Sequence, residues 1–349
     1  MMLASIAKES IKRSFMPPQP SLLRPIMTQN HPDAINPQIY SSRVHTLIRQ
    51  FYQQNPQIGE SHGLKHVMAV HGHAVKAIDS HREALSKGTS SAPPICDMTA
   101  MEIEVAAILH DVDDRKYFPR EDNVFQDRAN SFSPAISGQP QPYYLPNALH
   151  ITKAAEIPEE SIRTILKMIS WVGCSENGNS IPPEIEATKK YYYLIPRWSD
   201  RLEAVGPVGV VRCYQYNREI GAPLWKDDDL YDSPRPSCEE DVWKFATPER
   251  FEGYLSGETR TKGVPPNKKQ KNGNGNLVKE KSVGSSMISH YYDKLLHVAR
   301  PPPEIVRNDY LESKAKESSK ELVEVCLRFG MTGVVDEEYI LALEKELST

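Results

Sequence analysis

One segment constrains this chain more than any other: residues 98–111, MTAMEIEVAAILHD, apolar on most sides and closed by an adjacent histidine and aspartate. The run is long for a strand and lacks a period of two, so it is expected to be a helix buried on most faces. His110 and Asp111 follow Ala-Ala-Ile-Leu directly. Ionisable groups at the edge of such a core are costly unless something compensates them. A helix end meeting solvent is one reading of the pair. Ligation of a divalent cation is the other.

Similar apolar spacing predicts further helices. Ile39, Val44, Leu47, Ile48 and Phe51 mark one, and Val67, Val70, Ala74 and Ile78 mark another that starts near 61–63. Residues 160–173, 185–206, 286–299, 313–330 and 336–347 continue the series, with Pro207 expected to kink or stop the helix before it. No run alternates convincingly, so the fold class is all-α. Residues 1–37 read as a disordered extension, and 38–349 as a single domain. That domain carries insertions at 86–97 and 119–146 and a flexible, basic loop at 257–286.

Composition narrows the setting. The net charge of −4 gives no overall basic field for nucleic acid, and the basic loop lacks the aromatic residues that bases stack on. No apolar run approaches the roughly 20 residues that span a bilayer. The five cysteines include no CxxC pair, which argues against disulfide and zinc-knuckle scaffolds. A cytoplasmic location is expected. The basic first 30 residues leave a mitochondrial targeting segment as the alternative.

Two more ionisable residues interrupt apolar helices: His66, and Asp200 in WSDRLEAVG. With His110 and Asp111 they supply two imidazoles and two carboxylates from three helices, a donor set for Mn, Mg, Fe, Co or Zn. The order His, His-Asp, Asp resembles the HD metal-dependent phosphohydrolase superfamily. The segments SHGLKHVMAV, AAILHDVDDRKYF, SDRLEAVGPVGVVRCYQY and ISHYYDKLLHV are similar to the small bacterial HD hydrolases, which include nucleoside triphosphate pyrophosphohydrolases. The resemblance implies an HD-type helical bundle holding a divalent cation, Mn or Mg first, on His66, His110, Asp111 and Asp200. It also assigns catalytic roles to Asp114 and Lys116, and substrate contacts to His62, His290 and Lys294. Ala69 departs from it, standing where the family usually has Arg.

The residues leave several roles open. Asp114, three positions after Asp111, is a general base if the helix continues, or a solvated helix-end charge. Asp113 reads as the second kind. His62 is either a phosphate contact or a polar helix start. His290 and Lys294 share a helix face at i,i+4, and His73 is the one replacement ligand available on the His66 face. Arg201 is expected to pair with a nearby acid. The function expected is hydrolysis of a phosphate ester or anhydride in a small molecule, a nucleotide first, with NTP cleavage to NMP and pyrophosphate the form the resemblance implies. The alternatives are a nucleoside monophosphate phosphatase, a binding protein that has lost turnover, and an iron oxygenase.

Overall fold

A computed structural model describes residues 36–59, 62–115, 117–118, 145–226, 235–257 and 286–347. Among these the chain is all-α, as the sequence predicts. In order the helices are α1 (Pro37–Gln54), α2 (Leu64–Ser86), α3 (Asp97–Leu109), α4 (Pro146–Ala154), α5 (Glu159–Ser170), α6 (Cys174–Asn177) and α7 (Pro183–Thr188). A 3-10 turn (Tyr191–Leu194) leads into α8 (Ile195–Leu202), followed by α9 (Pro207–Ile220), α10 (Glu239–Phe245), α11 (Pro248–Ser256) and α12 (287–299). Four helices close the chain: α13 (Pro303–Val306), α14 (Asp309–Ser318), α15 (Lys320–Thr332) and α16 (Glu337–Leu347).

The apolar side chains form two clusters. The first surrounds α3, which packs against α1, α2, α5 and α8. Ile103, Ile108 and Leu109 of α3 are fully buried, each stabilising the fold by about 1.5–3 kcal/mol, enough to keep the charged pair that follows at the edge of this core. The second joins α9, α10, α12, α15 and α16. Contacts of α8 and α14 with α12, and of α14 with α15, connect the two.

Several boundaries differ from the sequence reading. α3 ends at Leu109, and residues 110–113 form a turn. α2 begins at Leu64, after His62. The single helix expected over 185–206 is broken: α7 ends where Lys189 adopts a left-handed backbone (φ 56°), and α8 follows the 3-10 turn. Pro207 opens α9, where a proline loses no helical hydrogen bond. Expected as one regular helix, α12 contains a π turn over Tyr291–Leu295. The irregular stretch after α2 lies within 87–96. Residues 1–35, 119–144 and 258–285, which hold most of the expected extension, insertion and flexible loop, lie outside the described residues, as does Lys116.

Candidate metal centre

Three helices bring the expected ligands together. His66 comes from the first turn of α2, whose apolar face (Val67, Val70, Ala74) seats it in the first core. His110 closes α3 and Asp111 follows it. Asp200 lies near the end of α8. Nε2 of His66 is 3.3 Å from Nε2 of His110, and each lies 3.4 Å from Oδ1 of Asp200. Asp111 faces both rings, with Oδ2 3.5 Å from His66 and Oδ1 3.4 Å from His110. His66, His110 and Asp200 form a group whose ligand atoms all lie within 4.8 Å of one another, and such a group can hold a divalent ion. Donors about 2.1 Å from one ion stand about 3.0–3.4 Å apart at neighbouring octahedral or tetrahedral positions, close to the separations here.

The tautomer fits too. Nδ1–H of His110 donates to the Ala107 carbonyl at 2.8 Å, so in the neutral ring Nε2 carries the lone pair. Electrostatics prime the cluster. Burial opposes charge on His110, but Asp111 and the hydrogen bond and charge of Asp200 overcome it and lift its pKa to about 9. Desolvation opposes charge on the half-buried Asp200, yet hydrogen bonds from His110 and His66 hold it well below the usual carboxylate range. Burial pushes Asp111 up, against the pull of His110.

Around this group the HDVDD sequence divides its labour. Asp113 accepts hydrogen bonds from the backbone N–H groups of Asn147 (3.0 Å) and Ala148 (2.9 Å), fastening the start of α4. Asp114 does not reach its place on a continuing helix, because α3 has ended; the turn sets its Oδ2 3.8 Å from Nε2 of His62. The His62 ring meets the His66 ring edge-on at 6.2 Å and that of Tyr117 at 5.8 Å. His62 and Asp114 thus flank the centre together.

Other expectations fare differently. His73 is no spare ligand: Tyr310 Oη (2.6 Å) and Glu203 (3.1 Å) hold its two nitrogens. Arg201 hydrogen-bonds oxygens of Asn179 and Gly178 instead of an acid, and lies 4.6 Å over the Trp198 ring. Arg197 does the same for the carbonyls of Trp171 (2.6 Å) and Ser180 (2.7 Å), so two buried arginines lock α8 to the 171–180 loop. Gly178 (φ 51°) brings its carbonyl to Arg201, and a Cβ there would stand 2.7 Å from Leu255. His290 and Lys294 converge on Tyr254: the His290 ring meets it edge-on at 5.8 Å, and Lys294 Nζ lies 5.4 Å from its centroid. The 174–177 helix bridges this trio and the HD turn, through Ser175 to Tyr254 (3.4 Å) and Glu176 to Arg115 (3.4 Å).

Sequence reasoning missed Tyr52 and Tyr254. The Tyr52 hydroxyl is buried with no hydrogen-bond partner among the described residues, and burial with the charges of Asp111 and Asp114 pushes its pKa upward. Neither tyrosine carried a signal separating it from ordinary packing aromatics.

No family model matches the chain. Two crystal structures resemble it weakly, one from Lactobacillus plantarum (14% identity, TM-score 0.44, covering 82% of this chain and 95% of that one) and the Lin1889 protein from Listeria innocua (16%, 0.36, 89% and 98%). The uncharacterized protein L803 of Acanthamoeba polyphaga mimivirus is 30% identical over 287 residues, spanning 81% of this chain and 93% of that protein. The chain belongs to the family of this mimivirus protein.

Proposed function

We propose that this protein is an HD-type metal-dependent phosphohydrolase acting on a small phosphorylated substrate, a nucleotide first among them. The observation that carries the reading is the convergence of two Nε2 atoms and two carboxylates at 3.3–3.5 Å, with the His110 tautomer set by Ala107. Mn or Mg suits this nitrogen and oxygen set, with Fe, Co or Zn as substitutes. When bound, such an ion supplies an activated water and a charge that polarises a phosphoryl oxygen.

The chain's own groups account for the rest. Among the described residues the two carboxylates pair with the two imidazoles and not with Lys or Arg, so a cation bound there would take the place of the proton on His110. The Asp114 carboxylate, paired with His62, is placed to take a proton at the edge of the centre, and His62 to donate one to a leaving phosphate oxygen. Lys294 and His290, gathered on Tyr254, offer charge and hydrogen bonds to more distant phosphates.

The test is a screen of nucleoside mono-, di- and triphosphates with Mn- and Mg-loaded protein, run beside Asp111→Ala. Pyrophosphate release indicates cleavage between the α and β phosphates, and orthophosphate indicates a phosphatase. Turnover that disappears in a folded Asp111→Ala supports the reading. Failure of the loaded wild type to turn over any compound, including with nucleotide bound, sinks it.

A further inference from the structure

A cavity of about 310 Å³ lies away from the metal centre, lined among others by His81, Ser90, Ser91, Lys189, Tyr191 and Arg307. His81 and His66 share α2, fifteen residues and so about 22 Å apart along its axis. The volume is within the range of small-ligand pockets. Two cations, Lys189 and Arg307, and the two serines line it, and the Arg307 charge acts on Lys189. The Arg307 guanidinium lies 4.0 Å over the Tyr191 ring, and its Nε donates to the Glu304 carbonyl at 2.6 Å. The Glu186 carboxylate stands beside this pair; it binds Lys189 and accepts from the Tyr191 hydroxyl at 2.8 Å.

The backbone adds an independent observation. Among the described residues, Glu156, Lys189 and Arg307 are the non-glycine residues with positive φ (59°, 56° and 49°). Lys189 ends α7 and Arg307 ends α13, in the left-handed cap position that usually falls to glycine. Glu156 likewise closes a helix, α4, its N–H donating to the Lys153 carbonyl, but lies elsewhere and pairs with Arg43. The other two place long cationic side chains, against backbone preference, on the same cavity.

We propose that this cavity is a second, non-catalytic ligand site for a small organic phosphate, held by Lys189, Arg307 and the Ser90 and Ser91 hydroxyls. It stands independently of the hydrolase reading, because none of its groups belongs to the metal centre. The test is calorimetric titration of full-length protein in EDTA with ATP, GTP and inorganic pyrophosphate as probes. Three proteins are compared: wild type, Asp200→Ala, and the double variant Lys189→Gly/Arg307→Gly. Glycine suits the left-handed backbone at both positions, so the double variant should keep or raise its Tm. Saturable binding of at least one probe is expected in wild type and Asp200→Ala, weakened about tenfold or more in the folded double variant. Absence of saturable binding to Asp200→Ala overturns the proposal, as does equal affinity in the double variant. Turnover of the metal-loaded proteins is read separately and reports on the catalytic centre.

Discussion

At the scale of single residues, the centre is a competition between protons and a cation for the same lone pairs. With its pKa at about 9, His110 carries a proton at neutral pH in the metal-free protein. Metal must displace that proton, so loading releases it. The apparent metal affinity should therefore rise by up to about tenfold per pH unit below pH 9 and level off above it. Calorimetry at pH 7.5 in buffers of different ionisation enthalpy should show net proton release. The sign reverses for the empty fold: a raised histidine pKa stabilises it fully below the unfolded value near 6.5, and that contribution fades as pH rises through about 9. Neighbouring aspartates should separate cleanly. Asp113→Ala removes the carboxylate that accepts from two backbone N–H groups at α4 and should lower unfolding free energy by about 1–2 kcal/mol, with metal stoichiometry intact. Asp114→Asn should leave urea denaturation nearly unchanged while cutting turnover by about a hundredfold. If both variants lose only stability, Asp114 has no catalytic part.

At the scale of helices, α8 matters most, because it carries Asp200 on a segment that two arginines fasten to the 171–180 loop. Arg197→Met would keep much of the side-chain volume yet leave the Trp171 and Ser180 carbonyls without their donor. A loss of about 2–4 kcal/mol is expected in denaturant titrations, with metal affinity falling in parallel as Asp200 loses its register. The parts of the site legible in the sequence share one trait: His66, His110 and Asp200 each interrupt or end an apolar helical stripe, where an ionisable group needs a reason. The illegible parts depend on tertiary contact. The apolar spacing of 185–206 continues through Lys189, so periodicity could not show that the chain turns left-handed there. Arg197 and Arg201 look like ordinary helix cations until their carbonyl partners are known. Asp113 and Asp114 differ only through a turn that starts one residue after α3, and no local pattern fixes that residue.

At the scale of the whole molecule, the candidate metal ligands lie against one apolar cluster, while His290 and Lys294 lie on α12, whose apolar side chains belong to the other. On the proposed function, substrate handling would depend on how well the second cluster holds its shape. Its anchor is a buried ion pair, Arg250 Nε to Asp293 Oδ1 at 2.7 Å, joining α11 to the π turn of α12. π turns recur at functional sites because they trade regular hydrogen bonding for side-chain placement, and Asp293 lies between His290 and Lys294. Asp293→Ala would strand the Arg250 charge in a buried place, at a cost of about 3–5 kcal/mol. Asp293→Asn, which keeps an acceptor of the same size, should recover part of it. If the two clusters respond separately, hydrogen exchange should quicken in α11 and α12 and stay slow in α2 and α3. Metal content would then remain at the wild-type level while KM for a phosphorylated substrate rises. Loss of metal in step with the α12 amides would instead show that both clusters unfold as one cooperative unit, with the ligand geometry resting on the Arg250–Asp293 pair as much as on α3.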